Sequence, residues 1–216
     1  MNLSKKAGNI SPSITLSITA KANELKAQGV DVVSFGAGEP DFNTPQNIIN
    51  AAIKAMQDGK TKYTPAGGIL ELKKTICKKF KEDNGLDYTT DQITISTGAK
   101  QCLANVFMAI LNPGDEILIP IPYWVSYPEL VKLADGVPVF VETLKENNYK
   151  YTIEDLEKAV SDKTKAILIN SPNNPTGTIY NREELIEIAE FAKKHDLLII
   201  SDEIYEKLIY DGEKHI

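Results

Sequence analysis

Short apolar runs and helical periodicities alternate along most of this chain. Runs at 92–96, 116–120, 137–141, 165–169 and 197–200 are dominated by Ile, Leu and Val and bounded by turn-forming residues. Near-continuous apolar runs of that length predict parallel strands covered on both faces. Between them, apolar positions at helical spacing predict helices over 99–111, 125–134, 153–160 (begun by Thr152) and 181–194. Upstream, the pattern predicts a helix over 18–28 closed by Gly29, a short strand over 31–35, and a helix capped by Thr44 with Pro45 at its first position. That helix closes at Gly59, 60–68 is a loop, and 69–82 is an amphipathic helix. The alternation predicts an α/β fold with a mostly parallel sheet flanked by helices and joined by right-handed crossovers. No linker within the chain separates two independent domains.

Composition narrows the function classes. With 42% apolar and 25% charged residues the chain has the make-up of a globular protein. A net charge of −6 argues against nucleic acid or an anionic membrane as partner. No segment is long and apolar enough to span a bilayer and the N-terminus carries no signal-like apolar stretch, so a cytoplasmic location is expected. Cys77 and Cys102 fall in helical patterns without a CxxC or a neighbouring His, which predicts free, buried thiols rather than a metal site. His195 and His215 read as surface residues. Arg182 is the only arginine and sits in the first turn of a helix, so bidentate recognition of a carboxylate has no obvious donor in this chain.

The candidate chemistry lies just after strands. In an open α/β sheet ligands bind outside the carboxyl ends of the strands. Ser96-Thr-Gly-Ala-Lys-Gln101 joins a strand to a helix, and the NH groups of Ala99 and Lys100 would face outward at the positive end of the helix dipole, an anion site that suits phosphate. The segment is neither a Walker A loop nor GxGxxG, and taken alone it is equally a plain turn. Trp124, the only tryptophan, follows the next strand within Pro120–Pro128 and is either a packing aromatic or a platform for a flat ring. Asn174 lies in Ser171-Pro-Asn-Asn-Pro-Thr-Gly177, and Asp202 and Tyr205 lie in Ser201-Asp-Glu-Ile-Tyr-Glu206. Singly, an Asn-Pro turn and a helix N-cap account for these two segments. Together, the loops supply phosphate donors, a ring, an amide, a carboxylate and a phenol, a set suited to a polar heteroaromatic cofactor.

These segments, with Gly36-Ala-Gly-Glu-Pro-Asp-Phe-Asn-Thr-Pro45 and Lys62-Tyr-Thr-Pro-Ala-Gly-Gly68, resemble the class I and II aminotransferases of the fold-type I pyridoxal-phosphate enzymes, most closely the bacterial aspartate aminotransferase branch. The resemblance covers nearly the whole chain and implies a role for each matching position. Ala99 and Lys100 would hold the phosphate of pyridoxal 5'-phosphate through their NH groups, and Trp124 would stack on its ring. Asn174 and Tyr205 would bond the phenolic oxygen, and Asp202 the ring nitrogen, where a carboxylate favours the protonated ring. Asp202 and Tyr205 are thus the implied catalytic pair. Gly38, Trp124 and Asn174 would line the amino-acid side. Tyr63 would reach the phosphate in a partner subunit of a homodimer.

The implied reaction is transamination between an amino acid, aspartate foremost, and a 2-oxo acid such as 2-oxoglutarate. It needs a lysine as imine partner and acid–base. The Schiff-base lysine motif and the arginine for the substrate α-carboxylate are absent from this chain, so an N-terminal fragment, inactive alone, is expected. Residues 1–44 would be the N-terminal arm and part of the small domain, and 45–216 an incomplete cofactor-binding large domain. Two other readings are a C–S β-lyase of the same fold and a non-catalytic truncated module that binds cofactor or dimerises.

Overall fold

The computed structural model describes residues 4–36, 38, 40 and 42–216. They form two compact units, one of residues up to Pro12 with Ser96–Ile216, the other Ser13–Ile95. The 44/45 domain boundary implied by the resemblance falls inside the second unit.

In the first unit, β1 (Glu116–Ile121), β2 (Val137–Glu142), β3 (Thr164–Asn170) and β4 (Leu198–Asp202) form one parallel sheet in the order β2-β1-β3-β4. Its central strands carry side chains to both faces with period two. Ile117 and Ile119 of β1, with Ala166 and Leu168 of β3, pack on one face against Leu103, Phe107, Tyr127 and Val131. Those last four come from α5 (Ala99–Ile110) and α6 (Ser126–Leu133). Leu118, Ile167 and Ile169 point the other way, onto Leu156, Ile188 and Phe191 of α7 (Ile153–Ala159) and α8 (Arg182–Lys194). The near-continuous apolar runs exist because both faces are covered.

The strand order reverses between β1 and β3: the chain steps from β1 outward to β2, then returns to the other side for β3 and β4. Pairing of β1 with β3 ends at Leu118 and Ile167. Beyond it the two strands part, and the buried Tyr151 hydroxyl lies 3.0 Å from the Leu168 carbonyl and 3.3 Å from that of Leu118. Its single proton is shared between the two carbonyls. A ligand crevice is expected at such a switch point, between the loops that follow β1 and β3.

Caps explain several helix starts. Thr152 accepts from the Asp155 NH at 3.1 Å, and Asn181 and Glu184 form a reciprocal capping box on α8. A short α1 (Lys5–Gly8) belongs to this unit too: Lys6 pairs with Asp135 at 2.8 Å, and the Ser11 NH donates to Glu129 of α6 at 2.8 Å.

The second unit contains α2 (Ile14–Ala27), α3 (Gln46–Gln57) and α4 (Leu70–Asn84). Three expectations are corrected here. Residues 31–35 and 92–96 are not strands among the described residues; the Ile95 NH bonds the Gly67 carbonyl at 3.1 Å, but neither segment finds a ladder. The N-cap of α3 is Pro45, without a side-chain bond, and not Thr44. The two cysteines are free but not buried: Cys77 is half-buried and Cys102 exposed. Among the described residues no helix is long and apolar enough to cross a membrane.

Candidate functional site

The first turn of α5 supplies the first component. Gly98 caps it at φ 82, a left-handed conformation that glycine tolerates without a Cβ penalty. Gln101 folds back so that its Oε1 accepts from the Thr97 NH at 2.5 Å. The NH groups of Gln101 and Cys102 turn to the Gly98 carbonyl. Those of Ala99 and Lys100 meet no acceptor among the described residues. Two adjacent amides are thus left pointing out of a helix start, the arrangement that binds anions.

From that turn a continuous line of contacts crosses the switch point. The Lys100 ammonium sits 5.0 Å over the Trp124 ring. Trp124, half-buried after β1, meets the edge of Tyr127 at 5.2 Å and 84°. The Tyr127 hydroxyl donates to Asp202 Oδ2 at 2.8 Å. Asp202 ends β4 and is buried, and its other oxygen accepts from the Ile204 NH at 3.2 Å. Opposite it in the sheet register, Asn170 ends β3. The Asn170 amide donates to the Asp202 carbonyl at 2.9 Å, and its oxygen accepts from the Asn174 NH at 2.8 Å.

The Ser171–Gly177 loop is closed on itself by Asn173, whose side-chain oxygen takes the Thr176 NH and hydroxyl. Asn173 is therefore spent on the loop. The side chain of its neighbour Asn174 keeps no bond among the described residues. Tyr205 lies in the turn after β4, half-buried, and its hydroxyl is likewise unbonded among them. Burial, then the Asp202 charge and its hydrogen bond, and lastly Tyr205 push the Tyr127 phenol far above its ordinary range. Tyr127 is held as a neutral donor.

Residues 30–216 match the aminotransferase class I and II family. The chain belongs to that family. An aspartate aminotransferase of Bacillus sp. (strain YM-2) is 60% identical over 99% of this chain and 54% of its own length. That of Bacillus subtilis is 57% identical over the whole chain and 55% of its own length. A solved Thermus thermophilus aspartate aminotransferase with maleate superposes with a TM-score of 0.95 at 48% identity, over 99% of this chain and 56% of that one. The chain spans about half the length of the curated relatives it matches.

Against this family background, the first unit brings Ala99, Lys100, Trp124, Asn174, Asp202 and Tyr205 to one edge of the sheet. Gly38 and Tyr63 belong to the second unit, where both are exposed. Sequence reasoning assigned nothing to Tyr127 or Asn170, the two side chains that join the others. Their signals were slight: Tyr127 lies one helical turn after Trp124, and Asn170 is a lone polar residue closing an apolar strand.

Proposed function

We propose that the whole protein is a pyridoxal-phosphate-dependent transaminase that moves an amino group between aspartate and a 2-oxo acid such as 2-oxoglutarate. The observation that carries the reading is the buried Asp202 carboxylate at a strand end, in line with the half-buried Trp124 indole and two unsatisfied amides. These groups suit the cofactor's three polar features. The amides of Ala99 and Lys100 would take its phosphate, Asn174 and Tyr205 its phenolic oxygen, and Asp202 its ring nitrogen. When bound, pyridoxal phosphate supplies an electron-withdrawing ring that eases loss of the Cα proton of an amino acid.

The chain's own residues then have separable tasks. Trp124 presents an indole face that excludes water from one side of the ring and, with Asn174, borders the amino acid. Asp202 holds a proton at the ring nitrogen, because a buried carboxylate favours a cationic neighbour. Tyr205 and Asn174 offer two of the donors that balance a phenolate. Gly38, and Tyr63 as a contact to a second subunit of a homodimer, are assigned by family resemblance. The named relatives are aspartate aminotransferases, and the Thermus protein was solved with a dicarboxylate, which supports aspartate over a neutral amino acid.

Lys100 is the one lysine in the line of site contacts, and its backbone is committed to the anion turn. We therefore assign it no imine role and expect the 216-residue chain to lack turnover. Oxaloacetate formation from aspartate by the whole protein, dependent on 2-oxoglutarate, is the expected result. Pyruvate release from cystathionine without an oxo acid would overturn transamination in favour of β-elimination. For the chain alone, borohydride is expected to fix no cofactor on a site lysine; a reduced adduct accompanied by turnover would sink the claim of inactivity.

A further inference from the structure

Tyr127 is almost wholly buried, yet its one polar atom is committed to a carboxylate 75 residues away in the chain. Both oxygens of Asp202 are tethered. The Ile204 NH comes with the turn of the segment itself, whereas the Tyr127 hydroxyl reaches across from α6. The same ring packs edge-on against Trp124, so one residue touches both the indole and the carboxylate.

We propose that Tyr127 is a positioning residue that fixes the direction of the Asp202 carboxylate toward the ring nitrogen of the cofactor, a role that rests on the pyridoxal-phosphate reading above. The terminal torsion of an aspartate is broad and two-fold, so packing alone sets it poorly. A charge-assisted hydrogen bond from a rigid, buried phenol removes that freedom. Packing by itself would be met by phenylalanine, which fills the same space and keeps the edge contact with Trp124. Because burial and the carboxylate keep the phenol neutral, the donor persists at neutral and alkaline pH.

Trp124 is the only tryptophan in the chain, so quenching of its fluorescence reads ligand binding at this place directly. Two probes are titrated into the 216-residue chain: pyridoxal phosphate and its 1-deaza analogue, in which a C–H replaces the ring nitrogen. The unsubstituted chain is expected to prefer pyridoxal phosphate. Tyr127→Phe is expected to weaken pyridoxal phosphate about tenfold, about 1.4 kcal/mol, as for one hydrogen bond to a charged group. The deaza analogue should change less than about twofold, since the lost group acts through the nitrogen. Asp202→Asn should remove the preference, and adding Tyr127→Phe to it should cost nothing more.

Equal weakening toward both probes, or none toward either, overturns the role of Tyr127. Loss of the far-UV circular dichroism of Tyr127→Phe overturns it too, since the hydroxyl would then serve structure. The two readings fail separately. A preference that survives Asp202→Asn, or an unsubstituted chain with no preference, overturns the pyridoxal-phosphate assignment itself. A preference lost with Asp202→Asn but kept with Tyr127→Phe overturns only the proposal for Tyr127.

Discussion

At the scale of single residues, Asn170 is the joint of the site. Its side chain is 1% exposed and spends both ends of the amide on backbone, one on the Asp202 carbonyl and the other on the Asn174 NH. The amide therefore sets the distance between the end of β4 and the loop that carries Asn174. Alanine there would leave the partly buried Asn174 NH without this partner, whereas the Asp202 carbonyl keeps the Ser171 NH at 3.3 Å. One such loss costs about 1–3 kcal/mol, so Asn170→Ala is expected to lower unfolding stability by about 1–3 kcal/mol. Urea unfolding of the chain checks it; a loss below about 0.5 kcal/mol, the level of an ordinary surface substitution, would mean the joint is not structural. Asn174 and Asp202 were singled out from the sequence as candidates because they sit in recognisable strand-end segments. Asn170 and Tyr127 were not, because their importance lies in partners that only the folded sheet brings near.

At the scale of elements, the N-terminal segment docks on α6 through charge. Glu129 accepts from the Ser11 NH at 2.8 Å and from Lys132 at 2.9 Å. Burial raises its pKa, but the Ser11 and Lys132 contacts outweigh that, and the net shift is downward. A carboxyl depressed on folding stabilises the folded form above its unfolded pKa, and the contribution is lost as pH falls through the folded value. The docking of residues 4–12 is therefore expected to loosen below about pH 4, the ordinary range of a glutamate, before the sheet itself opens. Hydrogen exchange at the Ser11 amide reads this. Glu129→Ala, which removes the acceptor, should show fast exchange already at pH 7, and protection unchanged by pH or by the substitution would refute the coupling.

The same scale explains which elements the sequence could predict. β1 and β3 were legible as apolar runs because helices cover both of their faces, and α8 because its capping box is local. Residues 31–35 and 92–96 have strand-like composition, but a strand exists only by pairing, and no ladder forms for either among the described residues. The attachment of residues 4–12 to α6 joins positions more than a hundred residues apart and has no local signature.

At the scale of the whole molecule, the two rims of the sheet differ. β2 carries Pro138, which donates no ladder bond, and ends at Glu142; Tyr123 also stacks on its Phe140 at 5.1 Å and 14°. Proline and charge are devices that blunt a sheet edge. β4 has neither along Leu198–Ile200, where Leu198 is 54% and Ile199 40% exposed. Its only strand partner among the described residues is β3. A row of unpaired backbone groups flanked by exposed aliphatic side chains is a template for another strand. The 216-residue chain is accordingly expected to self-associate through β4, with a sedimentation coefficient that rises with concentration. Leu198→Lys places a charge on that rim at a position already more than half exposed. It should suppress the association while changing unfolding stability by no more than about 0.5 kcal/mol. Val137→Lys on the β2 rim should leave association as it was. Suppression by the β2 substitution alone would move the contact to the other rim, and a chain monomeric at all concentrations would show that the exposed β4 edge recruits nothing.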